Sequence, residues 1–234
     1  MLVRPRQLHL PIELRREPTL ARFLPGANGE ALAAVERAAA GQGEPFLYLF
    51  GPAAVGKTHL LQGACAEVAR RGCQASFFPL GLAGLDPGVL EGVEDMALVA
   101  LDDLERIAGD PDWERALFGL YNRLREQGHT LIAAAGVAPD GLGLDLPDLR
   151  SRLQWGPRYR LQPLDEGGCE SLLREAAACR GLILGPEVVR YIMTRNSRDP
   201  ASLLELVARL DAVSLQEQRQ PTIPLVRRAM QETS

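Results

Sequence analysis

One eight-residue segment, Gly51 to Thr58 (GPAAVGKT), constrains the fold of this chain more than any other feature. It matches the pattern G-x-x-x-x-G-K-[S/T] in full. The apolar run Phe46–Phe50 precedes it and predicts a buried strand. A helix is predicted to follow from Lys57 to Arg71, with an apolar stripe at Leu60, Leu61, Ala64, Cys65 and Val68. Between a strand and a helix, such a loop converges its backbone N–H groups and the helix N-terminus on an anion.

Lys57 is the only lysine among the 26 basic residues of the chain, the others being arginine. Lysine is a compact charge on a thin stem, whereas arginine is a planar fork, and a loop that wraps phosphates has room only for the former. We expect Lys57 to reach the β- and γ-phosphates of a nucleotide and the Thr58 hydroxyl to hold Mg²⁺. A glycine-rich connection with a surface lysine is the alternative. The predicted nucleotide-binding residues here are Pro52, Ala53, Ala54, Val55, Gly56, Lys57, Thr58 and His59.

A second apolar run, Ala97–Leu101, leads directly into Asp102 and Asp103. An acid at the end of a buried strand can hold a magnesium ion through its water shell. Asp102 is therefore predicted to act with Thr58 at a metal site. The alternative is a pair of carboxylates that simply opens a loop.

Strands and helices alternate through the first two thirds of the chain, and alternation predicts a parallel sheet covered on both faces. The further strands are predicted at Gln74–Phe78, Thr130–Ala134 and Arg158–Leu161. Helices are predicted at 30–40 and near 82–91, 111–127 and 148–154.

From Pro163 onward only helical patterns remain, near 165–179, 186–195, 200–218 and 222–232. The predicted fold is α/β, a three-layer αβα base with a five-stranded parallel sheet and a small all-α lid. Its predicted parts are an extended N-terminal peptide at 1–18, the base at 19–162 and the lid at 163–234.

Composition excludes several classes of function. The net charge of −4 gives no reason to expect nucleic acid as a direct partner. The four cysteines have no C-x-x-C spacing and the three histidines are scattered, which argues against a zinc site. Arginines interrupt the N-terminal segment, so no export signal is expected. No apolar run approaches the ~20 residues that span a membrane. We therefore expect a cytoplasmic protein.

The loop, the strand-borne acids and the helical C-terminal part resemble the AAA+ ATPases, and within them the Hda family of DnaA-related regulators. Five stretches carry this resemblance across nearly the whole chain, the last being the most specific: Phe23–Asn28, Leu104–Asp110, Trp113-Glu114, Leu120–Arg123 and Leu149–Gly156. The resemblance stops where the DNA-binding domain of DnaA would begin. Sequence-specific DNA binding by that route is therefore not expected.

The resemblance implies further site residues. Arg152 corresponds to an arginine finger that acts in trans on nucleotide bound to a neighbouring DnaA subunit. By pattern alone, Arg152 is one of several arginines on a solvated face. Phe23, Leu24 and Pro25 would wall the adenine ring, although an apolar, proline-containing turn is equally compatible with simple packing.

Three departures from the family pattern concern the γ-phosphate. Asp103 stands where hydrolytic relatives carry a water-activating glutamate, and it is one methylene shorter. Ala135-Gly136 ends the fourth strand where many relatives carry a polar contact. The sensor arginine of the lid falls on Ala201, and whether Arg198 replaces it stays open, because Asp199-Pro200 is expected to begin the helix after it. We expect binding of ADP or ATP with Mg²⁺, a stable ADP state, and slow or absent hydrolysis by this chain alone.

The N-terminal peptide contains a glutamine followed by alternating apolar residues on a proline-stiffened backbone, which can dock into a groove at low entropic cost. It resembles the sliding-clamp-binding peptide of the same family. The alternative is an edge strand of the chain's own sheet. The residues concerned are Gln7, Leu8, Leu10, Pro11 and Ile12.

These features favour an adaptor that inactivates DnaA on the sliding clamp. An autonomous AAA+ ATPase or helicase loader is the second hypothesis. A small-molecule kinase is third, because the helical tail does not resemble an arginine-rich lid over the loop. Whether the chain forms a homodimer stays open.

Overall fold

The computed structural model describes residues 18–197 and 199–231. The predicted clamp-binding residues and Arg198 lie outside the described residues. The expectation that 1–18 form a separate extended peptide therefore stays a prediction.

A parallel sheet of five strands forms the centre of the molecule, in the order β2-β3-β4-β1-β5. The three middle strands are almost entirely buried because helices cover both faces, as continuous apolar runs require. The predicted α/β fold with a five-stranded parallel sheet is confirmed. The strands are β1 (Phe46–Phe50), β2 (Ala75–Pro79), β3 (Leu98–Asp102), β4 (Thr130–Ala135) and β5 (Arg158–Arg160).

The strand register brings three carboxyl ends together. Phe50 of β1 lies opposite Ala135 of β4, and Leu101 of β3 lies opposite Ala133. The residues that follow β1, β3 and β4 therefore share one edge of the sheet, where ligands bind in open α/β folds.

Side chains of β1 alternate between two hydrophobic cores, because successive residues of a strand point to opposite faces. Phe46 and Tyr48 join the core under two helices, α3 (Pro111–Gln127) and α4 (Pro147–Trp155). Leu47 and Leu49 join the core on the other face. The helices packed there are α1 (Gly29–Ala39) and α2 (Lys57–Arg70).

The predicted helix near 82–91 is wrong. Only a short 3-10 turn, Pro87–Leu90, forms in this stretch. Gly84 has a φ of +88°, which ends any helix, and several further glycines and Pro87 make a regular helix costly. Between residue 18 and α1 the chain contains two more 3-10 turns, at Leu20–Arg22 and Gly26–Asn28.

The lid has its own hydrophobic core, built from residues such as Leu173, Ile192 and Val226. Asp199 caps one of its helices by accepting a hydrogen bond from Ser202 N at 2.9 Å, and Pro200 occupies the first helical position, as predicted. Hydrogen bonds from the Ser197 hydroxyl and from Ser202 hold the pKa of Asp199 to about 2. Within the described residues, the lid helices are α5 (Glu166–Ala178), α6 (Pro186–Arg195), α7 (Pro200–Glu217) and α8 (Ile223–Gln231).

None of the helices in the described part of the chain is long and apolar enough to cross a membrane.

Candidate functional site

The loop between β1 and α2 has a shape that requires glycine at both ends. Gly51 has a φ of +151° and Gly56 a φ of +97°, angles that other residues rarely adopt. A Cβ on Gly51 would lie 2.5 Å from the carbonyl oxygen of Leu161, and one on Gly56 would lie 2.6 Å from the ring of Phe23. A side chain at either position would force the loop to shift.

Lys57 folds back into the curve of this loop. Its Nζ donates hydrogen bonds to the carbonyl oxygens of Gly51 and Pro52, both at 2.8 Å. Since an ammonium group has three donors, one remains for a further acceptor. The first turn of α2 therefore combines a cation with a helix N-terminus, as anion binding requires.

Thr58 and Asp102 come together although they are 44 residues apart in the chain. The Thr58 hydroxyl donates to Asp102 Oδ2 at 2.5 Å, and the other carboxylate oxygen accepts from the backbone N–H of Asp103 at 3.0 Å. Asp102 is only 3% exposed. Burial raises its pKa, the charge of Asp103 adds to this, and the Thr58 hydrogen bond and Lys57 oppose it. A hydroxyl next to a carboxylate is a pair of hard oxygen donors, so these residues fit the predicted magnesium site.

Asp103 takes a different direction from Asp102. Its backbone is left-handed, with a φ of +57°, which is uncommon for a residue with a side chain. Its Oδ2 lies 2.9 Å from the position that a Cβ on Gly81 would occupy. Gly81 follows β2, which pairs with β3 on the side away from β4 and the loop. This placement gives no support to Asp103 as the water-activating group.

The segment before α1 packs against the loop. Phe23 is buried, and its ring centroid lies 5.7 Å from that of His59. The Nε2 of His59 lies at hydrogen-bond distance, 2.9 Å, from the carbonyl oxygen of Thr19. Leu24 and Pro25 are half-buried beside Phe23. Apolar surface therefore lies next to the phosphate-binding loop, where the adenine wall was expected.

Asn28 joins this segment to the junction between base and lid, a role that the sequence did not reveal. Its side-chain amide donates to the carbonyl oxygen of Gln162 at 2.9 Å and accepts from the N–H of Gln162 at 2.7 Å. Because the side-chain amide of Asn28 has both its donor and its acceptor paired, Asn28 can be buried, and only 4% of it is exposed. The two residues are 134 positions apart, so spacing offers no signal for this contact.

Arg152 lies on α4, where its guanidinium carbon is 5.2 Å from the ring centroid of Trp155. Arg125, on α3, stacks on the same indole at 5.9 Å. Trp155 is 68% exposed, which is unusual for a tryptophan without a partner surface. In the part of the chain that the structure describes, Arg152 forms no ion pair. Cation–π contact thus holds an available guanidinium at the surface.

Glu114 fastens the loop that leads into α4. This carboxylate is 1% exposed. It accepts hydrogen bonds from the backbone N–H groups of Gly109 at 2.8 Å and Leu146 at 2.7 Å, and two from Asp145 N at 3.1 and 3.0 Å. The start of the helix that carries Arg152 is therefore set by a residue of α3.

Replacing Glu114 with glutamine is expected to lower the free energy of unfolding by about 2–4 kcal/mol, because the amide nitrogen would face backbone donors that lose their acceptor. Urea unfolding of the full chain measures this change. Glu126→Gln, an exposed site on the same helix, should stay within about 0.5 kcal/mol of the parent. Equal stability of the two variants would contradict the role of Glu114.

A complete phosphate-binding loop, an acid at the end of β3 and a helical lid define the AAA+ class of fold. Residues 165–230 match the family model described as the lid domain of Hda. The C-terminal helical part of this chain is thus similar to the lid domain of Hda.

Solved structures share this architecture. Domain III of the Thermotoga maritima replication initiation protein DnaA superimposes with a TM-score of 0.76 at 21% identity, covering 92% of this chain and 95% of that one. AMPPCP-bound DnaA from Aquifex aeolicus gives 0.72 at 22% identity, covering 87% and 68%. The Thermotoga maritima RuvB Holliday junction branch migration motor gives 0.68 at 17% identity, covering 92% and 72%. At these identities the likeness concerns the fold.

Proposed function

We propose that this chain is a nucleotide-bound adaptor that inactivates the replication initiator DnaA by stimulating hydrolysis of its ATP. The observation that carries the proposal is the joining, in one chain, of a complete phosphate-binding loop to a lid of the Hda family. The adaptor would act in the cytoplasm at the sliding clamp, with DnaA as its partner.

The chain's own nucleotide would be ADP or ATP. Lys57 and the N–H groups of the loop would bind the phosphates, Phe23, Leu24 and Pro25 would flank the base, and Thr58 with Asp102 would hold Mg²⁺. The metal would neutralise phosphate charge. Similarity to DnaA solved with AMPPCP supports this assignment.

Weak hydrolysis by the chain's own site follows from the groups around it. Asp103 faces Gly81 instead of β4. Ala201, where the family's lid arginine would fall, is an exposed alanine in the first turn of α7. Few groups thus remain to act on a γ-phosphate, and a stable ADP state is the expected consequence.

The catalytic contribution would be made in trans by Arg152. A fixed guanidinium neutralises the charge that develops on a transferred phosphoryl group. The support for this role is that Arg152 is half-buried, stacked on Trp155 and free of a carboxylate partner among the described residues.

The adaptor would reach the clamp through Gln7, Leu8, Leu10, Pro11 and Ile12, a proposal that depends on the sequence pattern alone. Binding to the clamp would concentrate the chain where DNA has just been replicated. Tethering of this kind raises the effective concentration of a weakly bound partner.

The function is tested by measuring hydrolysis of DnaA-bound ATP with the chain and with clamp loaded on DNA. We expect stimulation that requires both, and a Gln7→Ala, Leu10→Ala double variant that loses clamp binding and most of the stimulation. Arg70→Ala, on the surface of α2, is the matched control and should behave as the parent. Ordinary turnover by the chain alone, at about one per second or faster, would favour an autonomous ATPase instead.

A further inference from the structure

The carboxylate of Glu105 fills the side-chain space of Gly136 at the end of β4. The backbone N–H of Gly136 donates to Glu105 Oε1 at 3.1 Å. A Cβ placed on Gly136 would lie 3.1 Å from that same oxygen. The end of β4, which the sequence alone suggested to be without a polar group, therefore carries a carboxylate supplied from 31 residues earlier in the chain.

This carboxylate lies at the edge of the sheet where the phosphates are expected. β4 is the strand between β1, which leads into the loop, and β3, which ends in Asp102. Gly51, the first loop residue, donates from its N–H to the carbonyl oxygen of Ala135 at 3.3 Å. The next residue, Gly136, follows the end of β4 and is the partner of Glu105. In loops of this pattern the lysine reaches the β- and γ-phosphates, so the outer phosphates lie over these strand ends.

Within residues 18–197 and 199–231, the carboxylate of Glu105 forms no ion pair with arginine or lysine. Its field reaches the hydroxyl of Tyr48, whose pKa is raised first by burial and second by the charge of Glu105. Tyr48 meanwhile donates to the carbonyl oxygen of Val137 at 3.0 Å, immediately after Gly136. An exposed negative charge thus faces the strand ends.

We propose that Glu105 makes this site selective for a nucleoside diphosphate over the corresponding triphosphate. A diphosphate would lack the outermost phosphate, which would bring further negative charge towards the Glu105 carboxylate. This inference rests on the proposed nucleotide binding. The sequence alone explained weak contacts to the γ-phosphate by the absence of a favourable group at the end of β4. Glu105 would instead place a repulsive group there.

The expected selectivity is roughly tenfold. Repulsion between like charges at a solvent-exposed site is taken as about 1.4 kcal/mol, and that energy is a factor of ten in affinity. Because Glu105 is exposed, salt should weaken the effect as ionic strength rises from about 0.01 to 1 M.

The matched substitution is Glu105→Gln, which removes the charge and keeps an oxygen acceptor for Gly136 N. Affinities for ADP and for AMPPCP are measured by calorimetry on the full chain and on this variant. Triphosphate affinity should rise about tenfold while diphosphate affinity changes less than twofold. Glu126→Gln makes the same charge change on α3 and should leave both affinities at parental values.

The outcomes separate this inference from the proposed function. A parent that binds neither nucleotide overturns the nucleotide-binding proposal and Glu105 selectivity with it. A parent that binds nucleotide, with the same affinity ratio in Glu105→Gln, overturns the selectivity alone. Loss of ATP turnover in Glu105→Gln at an unchanged ratio would instead assign the carboxylate to water activation.

Discussion

Substitution of Arg152 by alanine is expected to reduce the stimulated hydrolysis of DnaA-bound ATP by about 10³-fold. The guanidinium would stabilise charge on the transferred phosphoryl group. α4 carries one further guanidinium, that of Arg150. Arg150 is unsuited to replace it, because its Nη2 donates to the carbonyl oxygen of Leu144. Single-turnover hydrolysis of labelled ATP on DnaA, with clamp loaded on DNA, measures the loss.

The nucleotide affinity of the Arg152→Ala chain itself should equal that of the parent, because Arg152 lies on α4 and not at the loop after β1. Arg70→Ala is the control for removing an exposed arginine and should retain full stimulation. Arg152→Lys should recover little, because a lysine cannot present the guanidinium fork. Stimulation that survives Arg152→Ala would refute the assignment in trans.

Substitution of Lys57 by arginine is expected to weaken ADP binding about 100-fold, nearly as much as substitution by alanine. Charge-assisted hydrogen bonds to phosphate contribute about 1.5–3 kcal/mol, which is roughly 10- to 150-fold in affinity. Arginine keeps the charge, but Lys57 Nζ packs within 2.8 Å of two loop carbonyls, where a planar guanidinium does not fit. Titration with a fluorescent ADP analogue measures the affinity.

Arg70→Lys is the matched control, since it makes the reverse exchange on the same helix at an exposed site. It should bind ADP as the parent does. ADP should raise the melting temperature of the parent and of Arg70→Lys, and should leave that of Lys57→Arg unchanged, because only a bound ligand stabilises the folded state. If Lys57→Arg bound ADP as tightly as the parent does, any positive charge would serve at this position, and the predicted need for the compact shape of lysine would be wrong.

Most of the fold was predictable because the segments that build it have clear local patterns. The strand at Phe46–Phe50 and the helix at Pro111–Gln127 have the predicted bounds. For that helix, Asp110 caps the start, Pro111 occupies the first position and Gly128 ends it with a φ of +72°. The failed helix near 82–91 had apolar residues at suitable intervals, but its glycines and proline outweighed them.

The candidate site likewise has one part that the sequence predicted and another that it did not. The loop from Gly51 to Thr58 was apparent from the sequence, because the glycines, the lysine and the hydroxyl are neighbours in the chain. The direction of Asp103 was not, since it depends on a left-handed backbone beyond β3 and on the space left by Gly81.

The sequence by itself determined the class of fold through the alternation of strands and helices. It also determined the phosphate-binding loop and the acid that ends β3, because each is encoded within a few consecutive residues. Tertiary structure alone decided which backbone groups meet Glu114, which strand end receives Glu105 and which ring supports Arg125 beside Arg152. These contacts join residues about 30 positions apart, so no local period marks them. Their physical origin is the need of each charged or buried polar group for a partner, and only the packed sheet and helices bring those partners within reach.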